Sequence, residues 1–533
     1  MAVVLSAWTV DASAEAPYVV YTANNTATGA VILRSDPATG SLVEISRNGS
    51  QGNLFHRPYD LAVEADGDLL VADLGEPEVK DGAIIRVNPY TGRQTLVSSG
   101  GYFYDPAGIT VGPDGSIYVI DPLFVDDLVH PQGGLVIRVD PHTGAQQLVA
   151  SNFDSPHLFN YAFGIAMRDD GHFVVANRSL AGDLLSCVPA GRVLDVSPLD
   201  GSQSLLGVVG GLLSFPVGLA VDSDGSAVVA NECPGPAGLV RVATNGAQTA
   251  ITPNSSTDVL RTPERVGITP AGDYIVSDFN GGPDDDGSLV KVARAGGAQS
   301  TLSSGALFNH PLGIAVVPNR PPIATLKVTP DVVAAGNQVK LDASGSRDPE
   351  GLELVYEWDL DGNGTFESGS GTTSTATPRF ASDGIRTLRV RVNDPHGGRS
   401  VATAQVHVDG TMPVLTRLKA ATQTLRVPHS TTIRFRLSEA ATVTLWLDKA
   451  VPGHRVKGGA CSRRAKHGRS CTVWVRAKTI KRSGGTGENG IALRARGLKP
   501  GHFRVVVSAT DEVGHRSPSR ALRLRVLRAK PKG

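Results

Sequence analysis

The stretch "PVGLAVDSDGSAVVANEC", residues 216–233, decides the fold. It holds two short apolar runs separated by Asp224-Gly225, a turn signal, and the second run stops at Asn231. That pattern is a hairpin of two strands. It recurs along the chain. "YDLAVEADGDLLVADL" starts at Tyr59, "AGITVGPDGSIYVIDP" at Ala107, "FGIAMRDDGHFVVANR" at Phe163 and "VGITPAGDYIVSDF" at Val266, with a lone "LGIAVVP" at Leu312. Taking the second residue of each unit gives positions 60, 108, 164, 218, 267 and 313. Strand-built repeats of roughly this period indicate a propeller.

Each unit continues alike. A loop of variable length leads to an apolar strand such as "GAIIRVNP" or "GLVIRVDP", then a turn such as "NPYTG" or "DPHTG", then a last strand such as "RQTLVSS". A four-stranded sheet cannot bury both of its faces alone, and radial stacking does so. "LGIAVVP" is an innermost strand without its blade, and "PYVVYTAN" from Pro17 is a second strand without its first. Joining them closes a ring of six blades over residues 17–318. The units resemble NHL-type repeats, and the closure resembles the TolB-like six-bladed propellers. That group includes binding proteins, lyases and lactonases, so the resemblance implies the fold and leaves the function open.

The 533 residues carry 61 Gly and 34 Pro against 3 Met, which favours tight turns and strands over helices. The expected class is all-β: a six-bladed β-propeller plus two C-terminal Ig-like β-sandwiches. No run of 18 apolar residues exists, so no transmembrane segment is expected. Residues 1–16, "MAVVLSAWTVDASAEA", resemble the end of a secretory signal, truncated at its basic start. Export fits four cysteines without metal spacing. Cys461 and Cys471 are expected to form one disulfide, and Cys187 and Cys233, in neighbouring blades at equivalent places, a second.

Enzymatic readings depend on the residue that stands just before each inner strand, here Tyr59, Ala107, Phe163, Val217, Val266 and Leu312. Resemblance to peptide-amidating lyases would imply zinc-binding His at these points, and none is His. Resemblance to gluconolactonases and paraoxonases would imply Asn holding calcium, and only Asp60 offers an oxygen nearby. Resemblance to virginiamycin B lyase-like proteins would imply a His/Glu set with magnesium. Candidate histidines are His56, His157 and His310, in loops leading into inner strands, without a recurring Glu. The ligand-face candidates are therefore His56, Tyr59, Asp60, His157, Arg265 and His310. A polar residue ends each second strand: Asn24, Asp73, Asp121, Asn177, Asn231 and Asp278. A feature present in every blade is expected to be architectural, bonding its own downstream backbone as an Asx turn. Asp284, Asp285 and Asp286 form an acidic loop and a weak Ca²⁺ candidate.

Beyond "PNRPPIA", the lines "LDASGSRDPEGLELVYEWDLDGNGTF" and "GIRTLRVRVNDPHGG" resemble a PKD-type domain, placed at 319–410, with Trp358 in its core. Asp359, Asp361 and Asn363 there resemble the start of a calcium loop. Residues 411–528 resemble a bacterial Ig-like domain, with a tail at 529–533. Residues 411–533 hold 27 Lys+Arg against 5 Asp+Glu, hidden within a chain of zero net charge. This basic module is expected to meet an anionic cell-wall polymer rather than nucleic acid, since no aromatics interleave its basic runs. The expected function is exported or cell-surface recognition of a glycan or protein without catalysis, no cofactor being certain and Ca²⁺ the one considered. The alternative is a propeller lyase or lactonase-like hydrolase with a divalent metal on the axis.

Overall fold

The computed structural model describes residues 17–26, 29–49, 52–76, 81–122, 133–152, 158–178, 190–232, 238–252, 259–305 and 307–529, which contain strands and no helix. The chain forms two compact units. The first runs to Ile323 and takes in Arg347–Leu354 and Asn393–Ser400. It holds six four-stranded antiparallel sheets. Blade 1 is the closure blade: Pro311–Pro318, Tyr18–Thr26, Gly29–Ser35 and Leu42–Arg47, with Tyr18 opposite Pro318 and Thr22 opposite Ile314. Blades 2 to 6 begin with Pro58–Val63, Gly108–Val111, Ala162–Met167, Pro216–Val221 and Pro263–Ile268.

The hairpin that opened the sequence forms as its residues dictate. Gly225 sits at φ 81° and donates its N–H to Asp222 O at 2.8 Å, while Asp224 Oδ1 accepts from Ser226 N. The following strand, Ala227–Asn231, is buried at all five positions because blades cover both of its faces.

Inner strands pack backbone against backbone. A Cβ on Gly164 would lie 2.6 Å from Val217 O, and one on Gly218 would lie 2.4 Å from Glu264 O. Only glycine fits such an approach. Two blades break this pattern. Asp60 pairs with Ala72 and Arg265 with Ser277, in the register where Gly164 pairs with Ala176. The sequence alignment assigned this place in blade 6 to Gly267, two residues late. The register is set instead by Pro263 opposite Asp278, matching Pro216 opposite Asn231. The residue preceding the glycine position in blade 6 is therefore Glu264, not Val266.

A second ring has no counterpart in the sequence reading. The fourth strands of blades 2 to 6 begin near Gln94, Gln146, Gln203, Gln248 and Gln299. Each accepts a backbone N–H through Oε1, from Leu54, Tyr102, Leu158, Leu212, and both Val259 and Leu260 respectively. These amides clasp each outer strand to the loop that leaves the preceding blade.

The second unit comprises Ala324–Ser346, Val355–Val392 and the chain from Val401. Its first sandwich pairs a three-stranded sheet with a five-stranded one. Trp358 lies in its core, 1% exposed, donating Nε1–H to Ser370 Oγ at 3.0 Å. The second sandwich faces Leu415–Ala420, Ser430–Leu437 and Gly487–Arg494 against a larger sheet that includes Ala441–Arg455, Ser470–Gly484, Gly501–Thr510 and Arg520–Leu527. Ile433, Phe435, Leu445, Leu493, Phe503 and Val505 fill its core. Cys461 and Cys471 are bonded, with Cα atoms 6.0 Å apart.

Candidate functional site at the propeller axis

The six Asx side chains are buried. Each reaches back to the loop that leads into the inner strand of its own blade. Asn231 Oδ1 accepts from Ser214 N and Phe215 N, Asp278 from Arg261 N and Thr262 N, Asp73 from His56 N and Arg57 N, and Asp121 from Tyr104 N and Asp105 N. Asn177 accepts from Asn160 N, and Asn24 from Asn309 N across the closure. Asp73 also accepts from a residue shortly after it, Gly75 N, as an Asx turn does. The ring thus fixes the loops that carry the residues facing the axis.

At the start of the inner strands the register shifts, between Pro58 and Asp60, Ala162 and Gly164, Pro216 and Leu219, and Pro263 and Arg265. Such bulges re-aim the extra side chain. The residues so placed are Tyr59, Phe163, Val217 and Glu264. Below them, Arg265 Nε lies 3.3 Å from Asp60 Oδ2, and Arg265 Nη2 donates to Ala107 O at 2.7 Å. One side chain from blade 6 therefore meets blades 2 and 3, and its Cδ fills the space left by Gly218 of blade 5. It spans the axis. Arg265 and Asp60 are both buried.

Above this plug the aromatic and charged groups form one continuous cluster. The Arg265 guanidinium lies 5.0 Å from the Tyr59 ring centre, and Tyr59 is 6.3 Å from Phe163. The Arg178 guanidinium sits 4.3 Å from the Phe163 ring and 3.9 Å from the Phe215 ring, and its Nη2 bonds Glu232 Oε2 at 2.6 Å. Arg178, Phe215, Glu232 and Tyr59 are half-buried. Glu264 is buried, and its Oε2 has no hydrogen-bond partner among the described residues; Arg265 Nη1 lies 3.9 Å away. Burial, with the negative charge of Glu232 adding to it, pushes the Glu264 carboxyl up to about 7 against the pull of Arg178 and Arg265. Burial likewise raises Tyr59 to about 12. It also raises Asp60, the Arg265 charge opposing it.

The predicted ligand-face residues divide. Tyr59, Asp60 and Arg265 meet at the axis. His310 lies tilted against Phe279 with ring centres 4.4 Å apart and faces Asn309. His56 Nδ1 lies 3.8 Å from Asp81 Oδ2. His157, Cys187 and Cys233 lie outside the described residues. Asp284, Asp285 and Asp286 are exposed, and Asp285 pairs with Arg261. Asp359 spends one oxygen on Arg389 at 2.6 Å and accepts from Gly362 N and Gly364 N, with exposed Asp361 and Glu367 close by. Asn363 bonds Asp361. A divalent metal on the axis does not fit the residues present, because Arg265 already places a fixed positive charge there.

Arg178, Glu232 and Glu264 were missed from sequence. Arg178 and Glu232 directly follow Asn177 and Asn231, at a place where other blades carry Leu74, Pro122 and Phe279. One varying residue beside a constant one was the available signal. Glu264 was hidden by the two-residue misalignment.

Residues 319–408 match the PKD domain family model. No curated protein matches the chain. Among solved structures, the extracellular domain of a one-component system from B. thetaiotaomicron is 14% identical with a TM-score of 0.34, over 75% of this chain and 57% of that one. A gluconolactonase from Xanthomonas campestris is 16% identical with a TM-score of 0.35, over 49% and 83%. The fibronectin(III)-like modules of Clostridium thermocellum CbhA are 13% identical with a TM-score of 0.24, over 39% and 97%. At such scores these likenesses carry no functional argument.

Proposed function

We propose that the chain is an exported binding protein that takes a glycan or a polar protein segment at the loop-side mouth of its propeller. One observation carries this reading: Arg178 is held between Phe163 and Phe215 and paired to Glu232 while 16% of its side chain stays exposed. A charged donor fixed between aromatic faces is organised for recognition before any ligand arrives. Three of the polar groups expected on the ligand face are engaged separately: Asp60 with Arg265, His310 with Phe279 and Asn309, and His56 beside Asp81. Export is supported by the Cys461–Cys471 disulfide. The test is a glycan and protein array probed with the whole chain and with R178A and F215A. Hits that vanish in both variants, and that mass spectrometry recovers chemically unchanged, support the reading. Hits indifferent to both variants, or converted during incubation, defeat it.

A second reading, a lyase or hydrolase, rests on Glu264. A buried carboxyl raised to about 7, with one oxygen unpartnered beside Tyr59, has the properties of a general acid or base. Conversion of an array hit by the wild type and not by E264Q would favour it.

A further inference from the structure

We propose that the outer face of the larger C-terminal sheet binds an anionic polysaccharide, gripping its sulfate or phosphate groups with a row of arginines set among tryptophans. In this sheet Val443, Leu445, Leu447, Val505 and Val507 point into the core. Strand alternation puts Trp446 and Arg504 on the opposite face. Across that face Arg476 stands opposite Asp448, Asp448 opposite Arg504, and Arg504 opposite Arg523. At the usual strand spacing this row is about 14 Å wide. It holds three cations and one anion. Asp448 is 4% exposed and accepts from Nε of both Arg476 and Arg504, so its charge is shared between them. Arg523 is exposed and has no partner among the described residues, and Arg525 follows on the same strand opposite His502. Like charges placed directly across strands are destabilising, so this face is under-neutralised.

The tryptophans hold these cations in place. The Arg476 and Arg516 guanidiniums lie 5.2 and 4.8 Å from the Trp446 ring centre, and that of Arg504 lies 4.9 Å from Trp474. A guanidinium flattened on a ring keeps its N–H edges for other acceptors. The Nη groups of Arg476 and Arg504 make no hydrogen bond among the described residues. Tetrahedral oxyanions accept such donors in pairs. A polymer of regularly spaced anions would supply the missing countercharge. The Cys461–Cys471 bond joins residues of the same hairpin and places the module in an oxidising compartment, which favours an extracellular polysaccharide over nucleic acid.

The experiment measures binding of the whole chain to dextran sulfate, phosphomannan, neutral dextran and single-stranded DNA at low and physiological salt. Wild type is expected to bind either charged polysaccharide, weaken with salt, and ignore neutral dextran. R523Q/R525Q removes cations that pair with nothing among the described residues, and should weaken binding on the order of tenfold. R434Q/R436Q removes the same charge from exposed sites on the other sheet, and should change binding less than about twofold. Equal losses in the two variants, no binding to either charged polysaccharide, or equal affinity for DNA would overturn the proposal.

Discussion

Glu264→Gln isolates the electrostatics of the axis. In the folded chain the Glu264 carboxyl sits at about 7 against an ordinary value of 4.5. Because the folded value is raised, the uncharged form is favoured in the fold. Stability from this group is present at pH below 4.5 and is lost as pH rises through 7. The gap corresponds to about 3 kcal/mol. Glutamine does not titrate. The difference in unfolding free energy between wild type and E264Q should therefore swing by about 3 kcal/mol from pH 4 to pH 8, in favour of the variant at high pH. Any fixed cost of fitting the amide shifts the curve without bending it, and groups that do not interact with Glu264 cancel in the difference. Urea unfolding of the propeller, followed by far-UV signal at several pH values, measures it. A difference that stays flat across this range would falsify the buried, under-neutralised state assigned to Glu264.

Three further outcomes follow from the same geometry. Glu232→Gln removes the neighbouring charge that raises Glu264, so the pH midpoint of the wild-type-minus-E264Q difference should fall when both are measured in that background. Asn231→Ala leaves the buried N–H groups of Ser214 and Phe215 without their acceptor and should cost roughly 2–5 kcal/mol in urea unfolding, whereas Asn231→Asp keeps the acceptor and should cost clearly less. Gly218→Ala drives a Cβ to within 2.4 Å of Glu264 O and 2.6 Å of Arg265 Cδ, and should cost more than about 1 kcal/mol while perturbing ligand capture, because it displaces the plug.

The blades were legible because their signals are local and repeated: alternation, an Asp-Gly turn, and an Asx residue at a constant offset. The closure could be read from two incomplete units. What the Asx residues do was only half legible. Their constancy marked them as architecture, but in blades 2 to 6 their acceptors serve backbone 16 or 17 positions earlier, and in the closure blade Asn24 serves Asn309, contacts created by the hairpins and the closure and invisible to short-range reasoning. The glutamine clasp joins blades and was invisible for the same reason. Arg265 was expected on the ligand face, yet its partner Asp60 lies some two hundred residues away in sequence, so their pairing could not be read. In blade 6, "ERVGI" offered a glycine that matched the repeat in letters while the strand register placed Arg265 there. The tryptophan and arginine face of the last sandwich was read only as a basic composition, because Trp446, Trp474, Arg504 and Arg516 come from separated segments.

The most direct measurement is a hydrogen-exchange footprint of the whole chain with and without its array-identified ligand. Binding at the propeller mouth predicts new protection at the amides of residues 56–61, 161–165, 214–218 and 262–266, the segments carrying Tyr59, Phe163, Phe215 and Glu264. Protection confined to the outer strands of the blades or to the sandwiches, with these segments unchanged, would contradict a ligand site at the axis.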